Sequence, residues 1–104
     1  MIPNSALQKI LEEFNTLGEL SFYKKVLFAS LKEVVLLKSD KEYTSTPHLS
    51  LLALHDTLIS KYRADDKEQY LIMARIYRKV AHKIYWIMLK ERLSNINYKF
   101  LNRV

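Results

Sequence analysis

The chain has 104 residues, with 17 Lys or Arg against 11 Asp or Glu, which gives a formal net charge of +6 at pH 7. This length predicts a single domain spanning residues 1–104, and a hydrophobic share of 49% is enough to build a packed core. One Gly and two Pro exclude a glycine-rich phosphate loop and disfavour hairpin-rich folds. Because Cys is absent, disulfides, thiolate metal sites and a Cys nucleophile are excluded as well.

Nothing near the start of the chain is typical of a secretory signal, since residues 1–4 carry neither a basic region nor an apolar one. The longest apolar runs, 34–37 and 84–89, are far shorter than the ~18 residues of a bilayer span. We therefore expect a soluble, cytoplasmic protein. Export by a dedicated secretion machine, whose address would not be visible here, stays open.

The first half of the chain predicts two helices. Residues 5–16 carry one apolar stripe after a capping-box spacing between Ser5 and Gln8, and Gly18 is a natural helix stop. Residues 21–38 repeat apolar positions at helical intervals. This second stripe contains Tyr23, Val26, Leu27, Ser30, Leu31, Val34 and Leu37.

A polar loop at residues 39–46 separates these helices from a second pair. Thr46 suits an N-cap and Pro47 suits the first position of a third helix. The spacing of Asp65 and Glu68 predicts a capping box for a fourth helix over residues 66–93. Residues 94–97 (Ser-Asn-Ile-Asn) should weaken that helix and leave a short tail.

Short connections between amphipathic helices predict an all-α, antiparallel four-helix bundle with a long fourth helix and a short C-terminal tail. The fourth helix would be about 40 Å long, against about 25 Å for the second and third. Its end and the tail should therefore overhang the bundle, fold back across it or be covered by a partner.

The positive charge is concentrated in the last third of the chain. Residues 1–69 hold nine basic and ten acidic side chains, for a net charge of −1. Residues 70–104 hold eight basic side chains and only Glu91 as an acid, for a net charge of +7. This asymmetry predicts that any charge-driven binding uses the fourth helix.

Helical geometry gathers these charges on one side. At about 100° per residue, one sector of roughly 100° collects the basic residues together with the single Trp. That sector contains Arg75, Lys79, His82, Lys83, Trp86 and Lys90. The opposite side, expected in the core, contains Met73, Tyr77, Val80, Ala81, Ile84, Ile87 and Met88.

Several interpretations of the basic sector are open. An acidic protein partner would use Trp86 as an anchor and the cations as its rim. Nucleic acid would use the cations for phosphates and the indole for stacking, although no recognition-helix pattern accompanies them. The sector is also compatible with an ordinary solvated helix face. A membrane surface fits least, and homodimerisation through the fourth helix or residues 96–104 is a further alternative.

Enzymatic signals are weak. His48 and His55 lie seven residues apart and lack the spacing typical of metal ligands on a helix, while Glu12 and Glu13 point about 100° apart. We expect His48 to face solvent and His55 to be partly buried with a hydrogen bond. No catalytic residue, metal site or cofactor is predicted.

The sequence thus favours a non-enzymatic protein–protein interaction module of the adaptor, inhibitor or immunity- and effector-type class. It would bind an acidic partner through the fourth helix. A nucleic-acid-binding regulator and a purely structural homodimer are the alternatives. The predicted partner-binding residues are Arg75, Arg78, Lys79, His82, Lys83, Trp86 and Lys90, extended by Tyr98 and Phe100.

Overall fold

The structure is a computed structural model that describes residues 4–39 and 47–102, with side chains described for 4–34 and 47–90. These residues form four α-helices and, within the described part of the chain, no strand. The helices are α1 (Asn4–Leu17), α2 (Glu19–Ser39), α3 (Pro47–Asp65) and α4 (Glu68–Asn102). The prediction of an all-α helical bundle is confirmed.

The fourth helix is the element on which the other three pack. Its interface with α3 is the largest in the fold, α2 forms the next largest, and α1 contributes a small one. Ala74 and Ala81 are fully buried and lie on the same side of α4 as Tyr85, which contacts His48 of α3. Fully buried small side chains leave room for a neighbouring helix to pack closely on this side of α4.

The prediction of a short C-terminal tail is wrong, because α4 continues through residues 94–97 to Asn102. Ser, Asn and Ile are only a few tenths of a kcal/mol weaker helix formers than Ala, and neither Pro nor Gly interrupts the segment. With 35 residues, α4 is about 52 Å long, whereas the 19 residues of α3 span about 28 Å. The expectation that a tail after residue 93 folds back across the bundle is therefore wrong.

A single residue joins α1 to α2. Gly18 adopts φ +84°, and its N–H donates to the Phe14 carbonyl at 2.9 Å, which ends α1 in the left-handed conformation. Its own carbonyl accepts the Phe22 N–H at 3.0 Å and so begins α2. The predicted stop at Gly18 is confirmed, and α2 begins two residues earlier than predicted because the same residue serves both helices.

Both predicted capping boxes are wrong. Ser5 lies inside α1, which begins at Asn4. Asp65 is the last residue of α3, and Asp66 adopts φ 55° with its N–H donating to the Tyr62 carbonyl at 2.7 Å. Asp is one of the few residues that tolerate this conformation, so Asp66 ends α3 instead of capping α4. The predicted polar loop lies outside the described residues except for Ser39, whereas the predicted start of α3 at Pro47 is confirmed.

Three aromatic rings hold α1 and α2 on α4. Phe22 is 2% exposed, and its ring lies edge-on to Phe14 of α1 at 5.4 Å and to Tyr77 of α4 at 5.9 Å. Edge-to-face aromatic pairs add to the free energy of apolar burial. The predicted α2 stripe omitted Phe22, because a single stripe describes a helix with one neighbour and this end of α2 has two.

Replacing Phe22 by Ala should lower the free energy of unfolding by about 3–5 kcal/mol, because a buried ring is removed from a three-helix junction. Phe28→Ala is the matched control, since Phe28 lies on the same helix but is 64% exposed; its effect should stay within about 0.5 kcal/mol. Urea unfolding followed by far-ultraviolet circular dichroism measures both. Equal losses in the two variants would contradict this description of the core.

Burial also affects the acidity of Tyr77. Removal of its phenol from water raises its pKa from 10.0 to about 12, and the charge of Glu13 acts in the same direction. Tyr77 is therefore neutral over the whole physiological range. The folded state holds a proton that the unfolded chain releases in alkaline solution.

Stability should consequently fall as the pH rises from 10.0 towards 12, the interval between the ordinary and folded-state pKa values of Tyr77. The loss attributable to Tyr77 should approach about 2–3 kcal/mol. Urea unfolding of wild type and Tyr77→Phe across this interval isolates it, because the variant keeps every other titrating group. Tyr85→Phe, at a 45% exposed position, is the control and should retain the wild-type slope.

Candidate functional site on the fourth helix

The structure places the described part of the predicted binding surface in solvent. We call this set of side chains the basic face; it consists of Arg75, Arg78, Lys79, His82, Lys83, Trp86 and Lys90, all of them exposed. Trp86 is 63% exposed, so its predicted outward orientation is confirmed. The side chains of Tyr98 and Phe100, the predicted extensions, lie outside the described ones.

One residue assigned to the core by helical period is not there. Ile87 is 36% exposed, although Val80, seven residues earlier on the same side of α4, is fully buried. The packing that covers Val80 therefore thins out within two turns. The other predicted core positions of α4, including Ile84 and Met88, are buried.

The basic face lies on the side of α4 that its neighbours leave largely uncovered. Arg75, Lys79 and Lys83 follow one another at intervals of four residues and therefore form a row along the helix. Between Gln69 and Lys90 the sequence contains no acid that could pair with them on the same helix. The result is a positive surface that attracts anionic groups over about one Debye length, ~8–10 Å at physiological salt.

A groove runs beside this row, between α4 and the first two turns of α2. It has a volume of about 630 Å³ and is lined by Glu19, Leu20, Tyr23, Ile72, Arg75, Ile76, Lys79 and Lys83. Leu20 is 66% exposed and adds apolar surface to this concave region. The groove therefore combines an aliphatic and aromatic floor with a cationic rim on the α4 side.

Tyr23 connects the two walls of the groove. The Nζ atoms of Lys79 and Lys83 lie 5.9 and 5.3 Å from the centre of its ring. These are cation–π distances, worth about 0.5–1 kcal/mol each at an exposed site. Because the ring restrains both ammonium groups, the rim is partly ordered before any partner binds.

At the other end of the basic face, Trp86 belongs to an aromatic group. Its ring lies 5.8 Å from Tyr85, and Tyr85 lies 5.5 Å from His48 at the start of α3. His48 is half-buried and its Nδ1 atom has no hydrogen-bond partner among the residues that the structure describes, so the expectation that it faces solvent is wrong. Packing on Tyr85 shields this histidine.

The other histidines lie apart from one another. His55 is half-buried and its Nδ1 lies 3.0 Å from the Asp56 carboxylate, as predicted. His82 is exposed within the basic face. Over residues 4–39 and 47–102, no group of three or more His, Asp or Glu side chains is arranged to hold a metal ion.

The α2 wall of the groove is the part of the site that sequence reasoning missed. Leu20 lies outside the helical stripe of α2, directly after the Gly18 turn, and Ile72 lies at the edge of the basic sector of α4. The available signal was Leu20 itself, a large apolar residue that lies outside the apolar stripe of α2. Whether Leu20 lines a groove depends on which side of α2 faces α4. The period of a single helix does not specify this orientation.

Comparisons with known proteins add no relative: no protein family matches the sequence, and neither curated proteins nor solved structures gave a significant match. Of the helices that the structure describes, none is both long enough and apolar enough to cross a bilayer.

Trp86, the single Trp of the chain, should report its own surroundings. We expect strong quenching of its fluorescence by iodide and several-fold weaker quenching by caesium, because the neighbouring cations attract anions and repel cations. The joint variant Lys83→Gln and Lys90→Gln should reduce quenching by iodide while leaving quenching by neutral acrylamide unchanged. Poor quenching by acrylamide in the wild type would show a covered indole and contradict the assignment.

Proposed function

We propose that the protein is a non-enzymatic protein–protein interaction module, of the adaptor, inhibitor or immunity- and effector-type class. In this proposal the basic face binds an acidic surface of a larger protein. The observation that carries the proposal is the 63% exposure of the only Trp within an acid-free row of cations. Trp and Arg are the residues that most often supply binding energy at protein interfaces.

Binding would proceed in two physical steps. The cations first steer an acidic partner and raise the association rate, an effect that added salt weakens. Trp86 then becomes buried against the partner, with Tyr85 beside it to widen the apolar contact. Loss of the indole should mainly speed dissociation, whereas loss of the cations should mainly slow association.

The alternatives use the same helix but fit the surroundings less well. A nucleic acid would find phosphate contacts on the basic face, yet the adjoining groove offers an aliphatic floor and a carboxylate, Glu19, that repels phosphate. A two-fold homodimer through the basic face would bring like charges together. An acidic protein surface suits both the charge and the apolar contacts.

The proposal can be tested by site-specific photocrosslinking in cells. A photoreactive phenylalanine at position 86 should yield an adduct with one protein, while the same group at position 28 should not. Position 28 is a matched control, because Phe28 is 64% exposed and aromatic but lies on α2 outside the basic face. Mass spectrometry then identifies the partner and the crosslinked peptide, which should be rich in Asp and Glu.

Titration of the purified partner completes the test. Trp86→Ala should weaken binding by about 30-fold or more, as expected for an interface hot spot worth at least about 2 kcal/mol, with little change in thermal stability. Phe28→Ala should alter the affinity by less than about twofold. Adducts formed only from position 28, or a crosslinked nucleic acid whose log affinity falls linearly with log salt, would refute the proposal.

A further inference from the structure

Resting on the proposed function, we propose that the groove between α2 and α4 binds an acidic amphipathic α-helix of the partner. The concave surface has the composition such a helix needs. Its floor includes Leu20, Tyr23 and Ile76, and the row Arg75, Lys79 and Lys83 forms the rim on the α4 side. An amphipathic helix would place its apolar stripe on the floor and its acids against the row.

Backbone chemistry favours a helical ligand over an extended one. Extended peptides gain affinity chiefly by pairing their backbone with the edge of a sheet. The two elements that form this groove are helices, whose interior N–H and C=O groups are bonded within each helix. An extended ligand could bond only the free N–H groups of the first turn of α2, so most of its own backbone groups would lack protein partners here, whereas a helix satisfies them internally.

The distribution of charge orients the ligand. The cationic row lies on the α4 side, while the α2 side contributes Glu19. The acids of the bound helix should therefore lie on the flank that faces the row, and the flank that faces α2 should be neutral. Successive cations of the row are four residues apart and about 6 Å apart along α4, the same spacing as acids at i and i+4 on a ligand helix.

The basic face also limits the length of the ligand. Arg75 and Lys90 are fifteen residues apart, which corresponds to about 22 Å along α4. A ligand helix of about 15 residues would reach from the groove to Trp86. The groove and the indole would then contact one continuous partner segment, and the ammonium groups restrained by Tyr23 would lie between them.

A display library of random peptides of about 15 residues, selected on the full-length chain, tests this inference even before the partner is identified. Enriched peptides should repeat apolar residues at helical spacing and carry acids on one adjoining flank. Synthetic versions should gain helicity on binding, as measured by circular dichroism, and should alter the fluorescence of Trp86. Enrichment of peptides that lack acids, or that stay extended when bound, would overturn the inference.

Leu20→Lys gives the sharper comparison. Leu20 is 66% exposed, so the fold should tolerate the change, and the added cation should attract an acidic peptide. A loss of affinity of about tenfold or more would therefore report the loss of apolar contact with the floor, against the electrostatic trend. Phe28→Lys adds the same charge at an equally exposed position of α2 and should not weaken binding.

The outcomes separate this inference from the proposed function. If Leu20→Lys and Phe28→Lys bind the peptides equally well, the groove is not the binding site, although the function stands where Trp86→Ala still abolishes binding of the crosslinked partner. If neither Leu20→Lys nor Trp86→Ala affects that partner, both proposals fail. Binding of single-stranded RNA or of anionic vesicles in place of the peptides would also overturn the inference.

Discussion

One-sided packing on α4 is the constraint on which the rest of the structure depends. The contacts of Phe22 with Phe14 and Tyr77 hold α1 and α2 on α4, and α3 forms the largest interface with the same helix. All three neighbours therefore use the apolar side of α4. The opposite side is exposed along its described length except at the edge where Lys79 and Lys83 meet Tyr23 of α2. The basic face and the groove are consequences of that arrangement.

Much of the fold follows from periodicity, because burial on a helix repeats at a fixed interval. The buried positions Met73, Tyr77 and Ile84 and the exposed Trp86 are all consequences of the rotation between successive residues. The wrong predictions of burial occur where burial depends on how neighbouring helices pack around a residue. Phe22 packs between two helices, and Ile87 lies where the cover on α4 thins out. Neither effect is encoded in the period of a single helix.

The helix ends were less predictable than the helices, for a related reason. Capping motifs are short and recur by chance, so the spacing of Asp65 and Glu68 resembles a capping box although Asp66 ends α3 in the left-handed conformation. The basic face is a property of one helix and could be derived from sequence. The groove requires Leu20 of α2 and Ile72 of α4 to line one concave surface, and sequence alone left this relation open.

The arrangement of charge on α4 is difficult to explain by folding alone. Elsewhere the chain pairs its charges in the ordinary stabilising way, as Lys25 does with Glu13 and Lys61 with Asp65 at 3.2 Å. Along the basic face, like charges instead follow one another at intervals of four residues, an arrangement that destabilises a helix by about 0.2–0.5 kcal/mol per pair.

An exposed indole on the same face adds little to the core, and glutamates in place of some of the lysines would stabilise the helix. Violations of local preference that gather on one surface are typical of functional sites. The proposed binding of an acidic and partly apolar partner would both reduce the repulsion among the cations and bury the exposed aromatic ring. The proposed interaction would thus use both the positive charge of the basic face and the apolar surface of the groove.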